Sequence, residues 1–171
     1  MADVVDVSNL TVNIIENNGS KTERTETPEE KKTAIENKNG ALIYKEAFNG
    51  ADLEYEVTST RLKESIVVSE KQSEYSYSFD MNFDGLTPVI HSDGSIFLIE
   101  GNDTENPVFV IASPYMIDGN NEYSDMVEMR LTENGSLYTL IVTADSAWIN
   151  SQDRAFPVVI DPTVIIDVGR R

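Results

Sequence analysis

The chain has 171 residues with no cysteine, and its 30 acidic and 13 basic residues give a formal net charge of −17. That length suits one domain able to bury a core unaided, and the missing cysteines exclude disulfides, thiol nucleophiles and zinc–thiolate centres. The acidic excess repels phosphate backbones and anionic bilayers, so neither nucleic acid nor membrane insertion is expected of this chain, and it has no apolar run long enough to span a bilayer.

Apolar and polar residues alternate from the start. Leu10-Thr11-Val12-Asn13-Ile14 reads as a half-buried strand, and Asn17-Asn18-Gly19-Ser20 ends it. Residues 20–40 are polar with mixed charge. Thr27-Pro28-Glu29-Glu30 carries an N-cap and a proline at the first helical position, but only Ala34 and Ile35 are apolar beyond it. A short surface helix or a linker is expected there. From residue 41 strand signals recur at short intervals. Ala41 to Ala47 leads into a turn at Asn49-Gly50, and Leu53, Tyr55 and Val57 then share a face, with Asp52 placed to bond turn amides. The strongest period-two run sets Tyr75, Tyr77, Phe79 and Met81 on one face. Ser92-Asp93-Gly94 and Glu133-Asn134-Gly135-Ser136 each sit between apolar runs and predict hairpins. Val108 to Ile111 is continuously apolar, the pattern of a strand covered on both faces. Ala144 to Asn150 predicts a helical turn begun by Asp145, and Val158-Val159-Ile160 a late strand.

Short strands separated by Asn-Gly and Asp-Gly turns, without a βαβ rhythm, predict an all-β fold: an antiparallel β-sandwich or stacked-sheet domain with at most one or two short helices. The expected division is an N-terminal strand and polar linker or short helix over 1–40, a β-rich module over 41–166 and a truncated tail over 167–171. No signal peptide opens the chain, so the export signal of a secreted parent is expected outside it.

Ordered blocks carry a family resemblance. They are Tyr44 to Val57, Leu62 to Val68, Gly85-Leu86-Thr87-Pro88, Asp93-Gly94-Ser95-Ile96, Ala112 to Asp118, Trp148-Ile149-Asn150 and Arg154 to Thr163. In this order they resemble a module of Gram-positive wall-associated and Rhs (YD-repeat) surface proteins that precedes DNRLRE-type domains. The resemblance covers about residues 41–163. It implies a secreted or cell-wall location, a multidomain parent, neighbouring domains of the same polypeptide as partners, and no known catalytic centre to transfer.

The residues themselves supply few sites. His91 is the only histidine and precedes a predicted turn; no Gly-x-Ser-x-Gly elbow accompanies it, so no catalytic set is assigned and the chain is not expected to be an enzyme. Asp80-Met81-Asn82-Phe83-Asp84-Gly85 opens like a calcium loop, but His91 falls where the bidentate glutamate belongs. Asp118, Asn120, Glu122 and Asp125 form a second oxygen-rich loop, the better calcium candidate, with a solvated turn as the plainer reading. Tyr115, Tyr123 and Trp148 could stack sugar rings if they share an exposed face, although a lone tryptophan ordinarily anchors the core. Lys45, in an otherwise apolar strand, is the one lysine singled out as an isopeptide donor, against a solvent-facing role. Two functions follow: a structural module that packs against neighbouring domains, and a carbohydrate-binding adhesive module for wall polysaccharide or host glycan.

Overall fold

The computed structural model describes residues 11–15, 41–57, 61–161 and 164–165. The expected helix or linker over 20–40 and the tail over 167–171 lie outside the described residues. What is described is the expected stack of antiparallel sheets. The smaller sheet orders β1 (Thr11–Ile15), β5 (Ser76–Asn82), β12 (Leu137–Ala144) and β11 (Val127–Asn134) as β1-β5-β12-β11. The strand expected near the N-terminus is thus part of this sheet, paired along β5 from Thr11↔Asn82 to Ile15↔Ser78.

The larger sheet is built around β4 (Arg61–Val68). On one side β4 pairs with β3 (Ala51–Val57), which pairs with β2 (Ala41–Phe48). On its other side two short strands lie end to end: β13 (Val158–Asp161) against residues 66–68, and β14 (Val164–Ile165) against residues 61–62. β13 continues to β9 (Tyr115–Ile117) and β10 (Tyr123–Ser124). β14 continues to β8 (Phe109–Ile111), β7 (Ile96–Ile99) and β6 (Thr87–Ile90). The sheet therefore forks beyond β4.

The core lies between the sheets. The period-two face of β5 supplies Tyr77, Phe79 and Met81, and Tyr75 just before it is equally buried. Leu140, Val142 and Ala144 of β12 join them, and the larger sheet answers with Leu53, Ile66, Val68, Leu98, Met116 and Ile160. Phe48, at the end of β2, reaches across: its ring meets Tyr77 edge-on at 4.9 Å and Phe79 at 5.6 Å. A bulge in β2 between Tyr44 and Phe48 aims it there. Glu46 sits in that bulge at φ 51°, and its N–H donates to Asp52 Oδ1 at 2.8 Å, so Asp52 does bond local amides as expected.

The hairpins fall where the turn residues predict them, β2–β3 at Gly50, β6–β7 at Gly94 and β11–β12 at Gly135, each glycine at positive φ. The helical turn α1 (Ser146–Ile149) is capped by Asp145, whose carboxylate accepts the N–H of Trp148 at 2.6 Å. Val108 to Ile111 departs from its reading as a fully covered strand. β8 is paired on both edges, but only Ile111 is buried, while Phe109 and Val110 are half-buried.

Candidate functional site

The polar chemistry of the fold gathers at the centre of the larger sheet. Strand alternation puts Glu64 with Ile66 and Val68 on the face toward the smaller sheet, and Lys63 on the opposite face. Glu64 is buried, and it accepts a hydrogen bond at 2.8 Å from the hydroxyl of Tyr55, its register partner on β3. Burial pushes its carboxyl up to about 7; the Tyr55 hydrogen bond works against this, and the charge of Asp161 works with it. Burial, and then the charge of Glu64, also push Tyr55 well above the ordinary tyrosine range.

Asp161 ends β13 and is only 2% exposed. Its Oδ2 accepts from the hydroxyl of Tyr115 at 2.7 Å and lies 3.1 Å from Lys63 Nζ. Tyr115 is its register partner on β9. Burial and the hydrogen bond to Asp161 push Tyr115 up to about 12. Tyr123 of β10 stacks on Tyr115, with ring centroids 5.6 Å apart and planes at 24°, and remains 62% exposed. One buried acid thus lies on β4 and the other on its neighbour β13, the first meeting a phenol and the second a phenol and an ammonium.

A second polar centre closes the loop after β9. Asp118 Oδ1 accepts the N–H groups of Asn120 at 2.8 Å and Glu122 at 2.9 Å, while Oδ2 accepts Ala155 N–H at 3.0 Å and lies 3.5 Å from Arg154. Burial alone would raise this carboxyl, but the three N–H donors and the guanidinium outweigh it and hold it below the usual range. The Arg154 guanidinium in turn lies 4.5 Å from the centroid of the Trp148 ring.

The residues expected at sites fare unequally. Asp118 points inward to the chain's own amides, while Asn120, Glu122 and Asp125 are exposed; among the described residues no cluster of three or more His, Asp or Glu side chains is gathered for a metal. Asp80 faces Thr139 from within β5, and Asn82 accepts the N–H of Asp84, so the other oxygen-rich stretch is strand followed by turn. Of the three aromatics, Tyr115 and Tyr123 meet, whereas Trp148 is half-buried under Arg154, at the margin of the core. His91 is a turn residue: its backbone bonds Ser95 and Gly94, and its ring packs on Phe97 at 4.1 Å. Lys45 is solvent-facing and pairs with Asp52 at 2.5 Å. The Lys63–Glu64–Asp161 grouping was not anticipated. Its only sequence signal is an acid, Glu64, at a core-facing position of an alternating strand.

Beside Tyr123 a surface cavity of about 440 Å³ is bordered by Asp93, Ser113, Asp125 and Glu128. The chain is similar to a segment of the tRNA nuclease WapA of Bacillus subtilis strain 168, 27% identical over 150 residues. It is 28% identical to the tRNA(Glu)-specific nuclease WapA of Bacillus subtilis subsp. natto and 27% to the tRNA3(Ser)-specific nuclease WapA of Bacillus spizizenii, again over 150 residues. Each alignment covers 84% of this chain and 6% of the relative. No family model matches the chain, and no solved structure matches it.

Two expectations are corrected by these names. The relatives are nucleases, which overturns the reading of the protein as no enzyme, and their named substrate is tRNA, which overturns the exclusion of nucleic acid. The exclusion of nucleic acid came from the charge of this chain, and the reading as no enzyme from its side chains and from the family resemblance. A stretch matching 6% of its relatives' length does not bound what the joined polypeptide acts on. Among the described residues no helix is long and apolar enough to cross a membrane.

Proposed function

We propose that the chain is a packing module of a large secreted, wall-associated bacterial protein whose activity is cleavage of tRNA, and that it serves by seating neighbouring domains of the same polypeptide. The observation that carries this reading is the disproportion of the match, 84% of this chain against 6% of each nuclease. The resemblance to the Rhs (YD-repeat) module that precedes DNRLRE-type domains supports the same placement, and so does the architecture. The buried acids Glu64 and Asp161 are engaged within the larger sheet, by Tyr55 and by Tyr115 with Lys63, and the forked wing β6–β7–β8 leaves Ile90 58% exposed, as a surface that meets a neighbour would.

The test is made on the full-length polypeptide with and without residues 11–165, which carry both sheets. Surface display, resistance to protease and tRNA cleavage are measured together. Loss of display or a protease-sensitive flanking domain is expected without the module. Unchanged display, resistance and cleavage would refute the seating role, and tRNA cleavage by this chain alone would move the activity onto the module itself.

One observation favours a second reading, an adhesive module for polysaccharide. Tyr123 is stacked from below by Tyr115 and open above, beside a cavity bordered by carboxylates that can accept sugar hydroxyls. Retention on wall polysaccharide, with and without calcium, that is lost in Tyr123→Ala supports it. Failure of the wild type to be retained in either condition removes it.

A further inference from the structure

We propose that Lys63 and Asp161 condense to an intramolecular amide, an isopeptide bond that staples the central strand β4 to β13. The proposal is independent of the function assigned above. Lys63 Nζ stands 3.1 Å from Asp161 Oδ2, which holds the amine against the carboxyl it would attack. The carboxylate is 2% exposed, so little bulk water competes at the reacting carbon. The hydroxyl of Tyr115 already donates to the same oxygen at 2.7 Å and is placed to hold the charge that collects there as the C–N bond forms.

The step balances without another reactant. The Lys63 ammonium gives up a proton, and the freed electron pair of Nζ adds to Asp161 Cγ. One carboxyl oxygen then leaves as water with the two protons that Nζ has lost. Oδ2 stays as the amide carbonyl, and Tyr115 is unchanged. Condensation also replaces a charge pair, whose carboxylate is buried and whose ammonium is partly exposed, by a neutral group. That removes a desolvation cost and relieves the repulsion between Asp161 and the second buried acid, Glu64. In a chain with no cysteine, such a bond constrains the unfolded ensemble as a disulfide would.

Intact-mass measurement of the purified full chain tests it. The wild type is expected to be lighter than its sequence by about 18 Da, one water, with a branched peptide joining the segments around Lys63 and Asp161. Lys63→Met is expected to restore the full mass. Its side chain is partly exposed in the wild type, so the variant should fold even where Asp161→Ala does not. Tyr115→Phe should slow the loss of water several-fold, and Asp161→Asn should shed ammonia, about 17 Da, instead. A fresh and an aged wild type that both weigh what the sequence predicts would overturn the proposal. So would a loss of water that persists in Lys63→Met, since the Asp-Gly pairs at residues 84–85, 93–94 and 118–119 can cyclise to succinimides of the same mass.

Discussion

Replacing Glu64 by glutamine should flatten the pH dependence of stability on the alkaline side. The native carboxyl is pushed up to about 7 from an ordinary value of 4.5, chiefly because it is buried between the sheets, with the uncondensed Asp161 carboxylate adding a like charge. Between those two values the folded chain holds a proton that the unfolded chain has released. Stability is therefore full below 4.5, falls as pH rises through that window and levels off above about 7. The raised value corresponds to a loss of about 2 to 3 kcal/mol between pH 5 and pH 8, a large share of a domain's 5–15 kcal/mol. Glutamine keeps an oxygen for the Tyr55 hydroxyl and cannot ionise. Its amide adds a roughly constant cost of about 1 kcal/mol at every pH, so the quantity to read is the slope and not the offset. Urea unfolding followed by the single tryptophan, Trp148, at intervals from pH 5 to pH 8 gives both profiles. Parallel curves for the wild type and Glu64→Gln would show that the acid is not held protonated, and the account of this site would be wrong.

Other perturbations separate the structural claims. Phe48→Ala removes the ring that bridges the sheets and should cost about 3–5 kcal/mol in urea unfolding; a cost near zero would mean that the sheets do not pack through it. Gly119→Ala puts a Cβ 3.0 Å from the carbonyl oxygen of Phe156 and 3.3 Å from that of Ala155, both backbone atoms, and should destabilise by about 1–3 kcal/mol; an unchanged unfolding midpoint would refute that packing. Asp118 is held below its ordinary 3.8, so its contribution is present above that value and is lost as pH falls. Asp118→Asn should lower stability at neutral pH and shrink the difference from wild type on acidification, and a gap that widens toward acid would contradict the hydrogen-bond set described.

How much of this could be read from residues depends on how far apart in the chain the partners lie. Period-two alternation marks the buried face of Tyr75, Tyr77, Phe79 and Met81 because a strand's two faces are written in adjacent residues. The turns at Gly50, Gly94 and Gly135 were legible for the same reason: positive φ is a local demand that glycine meets. Asp145 as a helix cap needs only the residues that follow it. The bulge that aims Phe48 depends on Asp52, six residues beyond Glu46, and the hydrogen bond was foreseeable although the bulge was not. The fork at β4 was out of reach, since two short strands 90 residues and more downstream share its edge.

That fork also explains why the expected sites fell on loops while the coupled chemistry lies in the sheet. Loop oxygens such as those of Asp118, Asn120 and Glu122 are neighbours in sequence and look like a ligand set, yet a loop that must close on itself spends its first oxygens on its own amides, as Asp118 does. Lys63, Tyr115 and Asp161 look unrelated along the chain. They become neighbours only when β13 enters between β4 and β9, a non-local pairing that no spacing rule encodes. A strand inserted in this way brings one buried acid against residues from two others, and the fold then has to neutralise it. A phenol and an ammonium on one oxygen achieve that, and the same pair of contacts places an amine against a desolvated carboxyl. The device that makes the insertion tolerable thus also sets up the reaction proposed for it, so one substitution, Lys63→Met, bears on both. Losing the Lys63 contact should lower stability as well as restore the mass of the uncondensed chain, and an unchanged unfolding midpoint would show that this pair does not hold β4 to β13.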